Sequence, residues 1–253
     1  MKLAIWQGPS PQGDDAAAFA ALLRALRSAA DAGASMLTAP EIFLPGYNQP
    51  DIAQKAQARG GAWHQALAGL CRETGCGLTI GYAERDGEIV YNAAVAFDGL
   101  GHEIAHYRKV QLYGPRENAI YAPGDSYAVF DLDGVKAALL ICYDIEFAPH
   151  LRALALQGVT LILCPTANME PWYHVSRLTV PTHAINHRLT IVYANFCGVE
   201  GDLSYCGTSV IVAPDGAILA QAGLGPTLLV ADTDRPLDPL MRQTQIEDFR
   251  PVR

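Results

Sequence analysis

Short apolar segments alternate with amphipathic stretches along this chain, and that order restricts the fold more than any other feature. Lys2–Trp6 and Met36–Ala39 have the length and apolar character of buried strands. Between them, alanine and leucine recur at helical spacing from Asp14 or Asp15 to Ala32, and Gly33 then ends the helical pattern. Strands separated by helices bury their apolar faces in successive layers. The sequence therefore predicts a layered α/β architecture.

Hairpins and two further helices complete the predicted pattern. The strands Gly77–Glu84 and Glu88–Tyr91 are joined by Arg-Asp-Gly, which is a hairpin signal. Helices are predicted from about Trp63 to Thr74 and from about Trp172 to His187, the second kinked by Pro181. Further strands are predicted over Ala93–Phe97, His102–Arg108, Ala128–Asp131, Lys136–Ile141, Thr160–Cys164, Thr190–Asn195, Val210–Ala213, Ile218–Gln221 and Thr227–Asp232. No linker rich in serine or glycine interrupts the pattern, so we predict one domain over 1–253, with about 233–253 as an extended C-terminal tail.

The composition argues against several classes of protein. Half of the 253 residues are hydrophobic and 17% are charged, which is too few charges for a disordered chain. Acidic residues outnumber basic ones by 26 to 18, the net charge is −8, and no run of Lys or Arg occurs. We therefore expect neither a nucleic acid nor a membrane surface as partner. No apolar stretch reaches the roughly 18 residues of a membrane span, and we expect a cytoplasmic protein.

The six cysteines do not form a metal-binding or disulfide pattern. No CxxC pair occurs, and Cys71 and Cys76 are separated by a spacing that suits metal poorly. A chain of this size needs no disulfide framework, so reduced buried thiols are expected. A zinc site built from Cys197, Cys206 and a histidine is the less favoured alternative.

Cys142 directly follows the apolar run Val135–Ile141. A strand that carries a thiol at its carboxyl end, where a helix begins, is how α/β scaffolds present a nucleophile. A lone cysteine in such a place is more often a small core residue. Two other strand ends change this interpretation, because Glu41 lies among apolar neighbours and Lys109 ends an alternating strand shortly before Glu117. A buried carboxylate needs a partner or a raised pKa, and either makes it a candidate base.

Three segments carry a resemblance to a known family. Pro40–Tyr47, Tyr107–Lys109 and Ile141–Asp144 resemble the three signatures of the nitrilase-like carbon–nitrogen hydrolases. The similarity extends over nearly the whole chain, from Lys2 to Gly216.

Three further segments resemble one branch of that family. Cys142–Phe147, Pro165–Met169 and Tyr193–Gly198 are most similar to the aliphatic ω-amino-amidases of the 5-aminopentanamidase type. The resemblance implies a four-layer α-β-β-α sandwich, no cofactor or metal, and a homodimer or higher homo-oligomer in which the C-terminal tail crosses the interface.

The resemblance also implies the catalytic residues. These are a triad of Glu41, Lys109 and Cys142, with Glu117 as a second glutamate that orients Lys109. An amide is a poor electrophile, and a thiol near its usual pKa of about 8.5 is mostly protonated at neutral pH. We expect Glu41 to accept the thiol proton, while Lys109 and the backbone N–H of Tyr143 stabilise the oxyanion.

Four residues are candidates for the substrate pocket: Tyr47, Glu146, Asn168 and Trp172. Several carboxylates face one lysine in this site, and no arginine pair follows the nucleophile. The sequence therefore favours a neutral or cationic substrate over an anionic one. Asp144 is expected to cap the helix that follows the nucleophile.

The predicted function is hydrolysis of a short aliphatic carboxamide to acid and ammonia through a cysteine thioester. The predicted substrates include ω-amino carboxamides. A nitrilase or an N-carbamoyl amine hydrolase would use the same triad. A non-catalytic binding protein on the same fold is the alternative from another class. A histidine base is disfavoured, because alternation places His106 on the strand face opposite Lys109 and His150 is expected to be solvated.

Overall fold

A computed structural model of the protein describes residues 1–237, 240 and 243–251. These residues form fourteen strands: β1 Lys2–Gln7, β2 Met36–Thr38, β3 Gly77–Asp86, β4 Ile89–Phe97, β5 Glu103–Arg108, β6 Ala128–Leu132, β7 Val135–Leu139, β8 Leu161–Pro165, β9 Thr190–Ala194, β10 Cys197–Glu200, β11 Leu203–Cys206, β12 Val210–Val212, β13 Ile218–Gln221 and β14 Thr227–Asp232. They also form seven α-helices: α1 Asp15–Asp31, α2 Ile52–Lys55, α3 Ala62–Thr74, α4 Gly114–Ile120, α5 Ala148–Leu156, α6 Val180–His187 and α7 Gln245–Asp248. Cys142–Glu146 is a 3-10 helix, and Val175–Thr179 is a π-helical turn.

Two six-stranded sheets form the centre of the molecule. The first has the order β14-β1-β2-β3-β4-β5 and the second has the order β13-β12-β9-β8-β7-β6. In both sheets the inner strands run parallel, as β1, β2 and β3 do in the first and β7, β8 and β9 in the second. Antiparallel strands lie at the edges. The carboxyl ends of the parallel strands are where ligands bind in α/β sheets.

Helices cover the outer face of each sheet. Helices α1 and α3 pack on each other and on the first sheet, while α5 and α6 pack on the second. One core cluster fills the space between the sheets and continues under α5 and α6, and another lies between α1, α3 and the first sheet. These contacts confirm the predicted four-layer α-β-β-α sandwich.

Most predicted elements are confirmed, with small shifts. Asp14 caps α1 by accepting from the N–H of Ala17, as its position suggested. The predicted strands Glu88–Tyr91 and Ala93–Phe97 are one strand, β4, because Asn92 between them stays extended and pairs with Ala83 of β3. The predicted helix over 172–187 begins later, with the π-helical turn, which continues directly into α6. Pro181 follows that turn and has no N–H to donate to it.

Part of the predicted C-terminal tail lies outside the described residues, namely 238–239, 241–242 and 252–253. Its described part contacts its own chain, with Phe249 beneath the Arg152 guanidinium and Glu247 paired with Arg188. The role of the tail in a dimer stays a prediction. Across the part of the chain that the structure describes, every helix is too short or too polar to cross a membrane.

One glycine allows the first sheet to support the site. The chain leaving β2 runs beside β3, where the N–H of Gly81 donates to the carbonyl of Pro40 at 3.0 Å. A Cβ atom at Gly81 would lie 2.5 Å from the Cα of Glu41 and 2.5 Å from the backbone N of Ile42. Neither backbone atom can rotate away as a side chain can. Gly81 therefore determines how closely Glu41 approaches the sheet.

We predict that Gly81→Ala lowers both stability and activity, because one of the two backbone segments must move. Overpacking of this kind costs about 1–3 kcal/mol. Thermal unfolding would measure the loss. Gly223→Ala is the matched control, since a Cβ atom there meets no atom within 4 Å. Equal melting temperatures for the two variants would contradict the prediction.

Candidate active site

Cys142 lies three residues beyond the end of β7, at the start of the 3-10 helix. Its φ angle is 45°, a left-handed conformation that is uncommon for a residue other than glycine. Asp144 accepts from the N–H of Ile141 at 3.0 Å, and Tyr107 donates its hydroxyl to Asp144 at 2.9 Å. The buried carboxylate of Asp144 therefore stabilises this turn. This fixes the position of the thiol.

Glu41 lies three residues beyond the end of β2 and is completely buried. Its backbone N–H donates to the carbonyl of Thr166, which follows β8 of the second sheet, at 3.3 Å. Its Oε1 accepts from Lys109 Nζ at 2.7 Å and from Asn92 Nδ2 at 2.7 Å. Its Oε2 is buried and has no hydrogen-bond partner among the described residues. One carboxylate oxygen is thus free to exchange a proton.

Lys109 follows β5 and is also completely buried. Besides Glu41, its Nζ contacts Glu117 Oε1 at 2.8 Å and Glu117 Oε2 at 2.9 Å. Glu117, on α4, accepts in addition from the Tyr47 hydroxyl at 2.7 Å and from the backbone N–H of Tyr113 at 2.8 Å. Glu117 therefore has no oxygen left for a base role. Its geometry suits the orientation of Lys109.

Burial and charge together determine the pKa values of this cluster. Desolvation raises the pKa of Glu41 above its ordinary value, Lys109 opposes the shift and Glu117 adds to it. Desolvation would lower the pKa of Lys109, but Glu117 and Glu41 raise it well above its ordinary value. Lys109 is therefore a permanent cation, and Glu41 is a carboxylate of increased basicity.

The thiol stays protonated in the free protein. Desolvation raises the pKa of Cys142 well above its ordinary value, and the Glu41 carboxylate raises it further, while Lys109 and the Thr166 hydroxyl lower it. A thiol of this kind is a nucleophile only when a base removes its proton during attack. Glu41 is the neighbouring carboxylate with an unpaired oxygen.

A cavity of about 180 Å³ leads to the thiol. It is lined by Tyr47, Tyr113, Cys142, Tyr143, Glu146, Ala167, Asn168, Met169 and Trp172. The backbone N–H of Tyr143 belongs to the first turn of the 3-10 helix, whose donors have no acceptor within that helix. An oxyanion formed at Cys142 can therefore be met by this donor and by the charge of Lys109.

All four residues predicted for the pocket line this cavity, but the Tyr47 hydroxyl and the Asn168 amide nitrogen already donate to other protein groups. The Tyr47 hydroxyl donates to Glu117, so this residue offers its ring to a ligand. Asn168 donates its amide to the carbonyl of Trp172 at 2.9 Å. Glu146 is exposed at the rim, and partial desolvation of its carboxyl raises its pKa. Trp172 is 44% exposed and forms an outer wall.

Two sequence interpretations outside the triad are corrected. Asp144 lies inside the 3-10 helix and not before it, and its carboxylate accepts from the N–H of Ile141 at the start of that helix, from the Tyr107 hydroxyl and from the N–H of Gln111. His150 is half-buried and bonded to Tyr127 and Gln111, so it is not solvated.

The remaining alternatives also have a structural outcome. His106 pairs with Glu84, away from Lys109, because it lies on the other face of β5. Cys197 and Cys206 face each other across the β10–β11 hairpin as free thiols. Within 1–237, 240 and 243–251, no group of three His, Cys, Asp or Glu side chains could hold a metal ion.

Sequence reasoning missed several residues that the structure brings to the site. Tyr113, Ala167 and Met169 line the cavity, and Thr166 and Asn92 contact the triad. For Asn92 a signal existed, since it is an amide in the middle of a largely apolar strand. For Tyr113 no local signal existed, because it precedes a seven-residue helix whose Gly-Pro start resembles a loop.

Comparison with known proteins places this geometry in a family. Residues 2–238 match the family model described as Carbon-nitrogen hydrolase. A hydrolase in the pqqF 5′ region of Pseudomonas protegens is 39% identical over 94% of this chain and 84% of its own length. A nitrilase of Pyrococcus abyssi is 33% identical over 78% of this chain and 75% of its own length.

A solved structure shows the same fold. It is a mutant of the amidase from Nesterenkonia sp. AN1, showing the result of Michael addition of acrylamide at the active site cysteine. Its TM-score is 0.90 at 34% identity, covering 99% of this chain and 96% of that chain. The present chain belongs to the carbon–nitrogen hydrolase family of the nitrilase superfamily and is a hydrolase of carbon–nitrogen bonds other than peptide bonds.

Proposed function

We propose that this protein is an amidase that cleaves short aliphatic carboxamides to acid and ammonia, and that it favours amides with a distal ammonium group. The observation that carries this proposal is the cavity in front of Cys142, which is small, mostly apolar and bordered by one carboxylate, Glu146. Two features of that cavity, its size and its charge, define the substrate class.

The size of the cavity limits the acyl group. Pockets for drug-sized ligands enclose about 300–1,000 Å³, and this cavity encloses about 180 Å³. Its inner walls are the rings of Tyr47, Tyr113 and Tyr143 together with Ala167 and Met169. Such walls suit a short methylene chain, whose burial contributes about 0.8 kcal/mol per CH₂ group.

The charge at the rim favours an amine over a carboxylate. None of the described residues that line the cavity is a lysine, arginine or histidine. Glu146 lies at the rim, one helical turn beyond Cys142. A substrate that places its amide at the thiol and an ammonium group at the other end of a short chain would meet Glu146. An N-carbamoyl amino acid would bring a carboxylate to the same place and be repelled.

Acylation follows from the position of the triad. The thiol proton moves to Oε2 of Glu41 as Sγ of Cys142 bonds to the amide carbon. The negative charge on the carbonyl oxygen meets the Tyr143 N–H and the field of Lys109. All three Nζ donors of Lys109 already contact carboxylates, so its charge acts without a free hydrogen bond. Glu41 then gives the proton to the nitrogen, the C–N bond breaks, and ammonia leaves a thioester.

Deacylation uses the same base. Water occupies the place vacated by ammonia and gives a proton to Glu41 as its oxygen bonds to the thioester carbon. The C–S bond then breaks, the acid forms, and the sulfur recovers its proton from Glu41. A nitrile would enter the same sequence through a thioimidate, and the Pyrococcus abyssi relative keeps nitrile hydrolysis as the second candidate function.

Removing the nucleophile is predicted to abolish turnover, and removing the base to lower it, without unfolding the protein. Cys142→Ala should release no ammonia, because no acyl intermediate can form. Glu41→Gln should lower kcat by at least about 100-fold, the usual scale for an acid–base group. Ammonia release would measure both, circular dichroism would confirm folding, and Glu88→Gln, on an exposed carboxylate, is the matched control. Wild-type kcat in a folded Glu41→Gln protein would contradict the assignment.

The pH dependence should report the raised pKa of Glu41. Activity needs Glu41 as a carboxylate, so kcat/KM falls when the pH decreases through its pKa. Because that pKa is raised, the acid limb should lie above pH 4.5. Lys109 should add no loss below pH 10.5, since its pKa is raised as well. A profile of kcat/KM against pH that stays flat down to pH 4.5 would contradict the shift.

Substrate charge provides a further prediction. 5-Aminopentanamide should exceed its neutral isostere hexanamide in kcat/KM by up to severalfold, because a partly exposed ion pair contributes about 0–1 kcal/mol. The preference should disappear in Glu146→Gln and should weaken as the pH falls through the raised pKa of Glu146. Glu88→Gln should keep it.

An ammonia-release assay with amides, nitriles and N-carbamoyl amines would test the proposed function itself. Release from amides, with an acyl adduct on Cys142 detected by mass spectrometry, is the expected result. Turnover of nitriles alone would overturn the amidase assignment. Equal kcat/KM values for 5-aminopentanamide and hexanamide would overturn the charge preference and leave a general aliphatic amidase.

A further inference from the structure

Asn92 is a completely buried amide in the middle of β4, and it is connected to two members of the triad. Its Nδ2 donates to Glu41 Oε1 at 2.7 Å. Its backbone carbonyl accepts from the N–H of Lys109 at 2.8 Å. One residue of the first sheet thus contacts the side chain of the base and the main chain of the cation.

The two oxygens of Glu41 are not equivalent because of this contact. Oε1 accepts two N–H donors, one from Asn92 and one from Lys109, each at 2.7 Å. Two donors directed at one carboxylate oxygen leave it no free position for a proton. Oε2 is buried without a hydrogen-bond partner in the described part of the chain. A proton that reaches Glu41 therefore resides on Oε2.

The side-chain carbonyl oxygen of Asn92 shows that an amide at this position does not increase the stability of the fold. Its Oδ1 is buried and has no hydrogen-bond partner in the described residues. An unpaired buried carbonyl oxygen destabilises a fold, and an apolar side chain of the same size would avoid that loss. Reversing the amide would place Oδ1 against the carboxylate and remove the donor. The donor to Glu41 is thus the contact that accounts for an amide at this position.

We propose that Asn92 is a positioning residue for the hydrolytic reaction, which together with Lys109 occupies Oε1 of Glu41 and confines proton exchange to Oε2. The inference rests on the proposed amidase mechanism. A neutral amide suits this role, because it orients the carboxylate without a second positive charge that would make Glu41 a weaker base.

The test compares Asn92→Leu and Asn92→Asp with a control in the same strand. Asn92→Leu removes the donor at nearly constant size. Its kcat should fall about 10- to 100-fold, as expected for a lost hydrogen bond to a charged group. Its KM should change little, and its melting temperature should not decrease. Its acid limb should move to higher pH, because the lost donor favoured the carboxylate form of Glu41.

Asn92→Asp supplies a readout that a purely structural role would not produce. Two buried carboxyl groups in contact share one proton, whose pKa is raised by burial and by the like charge. While that proton is present, the introduced carboxyl can donate to Oε1 as the amide does. Activity should therefore exceed that of Asn92→Leu at low pH and should be lost as the pH rises and the proton leaves.

Val95→Ala is the control, since Val95 is buried in the same strand and does not line the cavity. It should lower the melting temperature and leave the acid limb unchanged. Wild-type kcat and acid limb in Asn92→Leu would overturn the inference, as would an equal shift of the limb in Val95→Ala.

A protein that releases no ammonia from any amide would refute the proposed function separately. The inference would then be tested by the pH dependence of Cys142 alkylation with iodoacetamide, followed by intact mass, with Cys142→Ala as the blank. The pH at which the alkylation rate is half-maximal, which depends on the pKa of Glu41, should be higher in Asn92→Leu than in the wild type. An unchanged midpoint would overturn the role of Asn92.

Discussion

The buried ammonium group of Lys109 is the interaction on which the rest of the site depends. An isolated charge in a dry interior is strongly unfavourable, and Lys109 is tolerated because it contacts both Glu41 and Glu117. Removing one partner of a buried pair typically destabilises a protein by about 3–5 kcal/mol, because the other charge is left uncompensated. The same contacts that make the lysine tolerable also fix the base. In the proposed mechanism the requirements of folding and of catalysis are therefore satisfied by one cluster.

The two sheets contribute different parts of the chemistry. The first sheet carries Glu41 and Lys109 at the ends of β2 and β5, and the second carries Cys142 beyond β7. The hydrogen bond from Glu41 to the carbonyl of Thr166 joins the two sheets beside the thiol. Because the thiol has a raised pKa, it is protonated in the free protein, and in the proposed mechanism Glu41 accepts its proton once substrate is bound. Cys142 should therefore react slowly with oxidants, because the thiolate is the form that reacts with them.

Features of the fold and site could be predicted from the sequence where they depend on neighbouring residues, and could not where they depend on residues far apart in the chain. Strands and long helices carry their own periodicity, so the layers and the strand ends bearing Glu41, Lys109 and Cys142 were accessible from the sequence. The hydrogen bond from the Tyr47 hydroxyl to Glu117 could not be predicted from the sequence, because the two residues are 70 positions apart. The amide of Asn92 was overlooked for the same reason, since its partner lies 51 residues away. Local patterns predict which residues reach the site, whereas long-range contacts decide which polar atoms remain available there.

The 3-10 helix carries both Cys142 and Glu146, the residue proposed to determine substrate charge. Cys142 begins it and Glu146 ends it, and the carboxylate of Asp144 between them fixes the turn by accepting from Ile141, Tyr107 and the loop after β5. Any shift of this helix moves the thiol and the rim carboxylate together, so the distance between the two is nearly constant. In the proposed function that distance sets the length of the chain between the amide carbon and the ammonium group. Under that proposal, substrate length is determined by one short turn, and substrate charge by one residue on it.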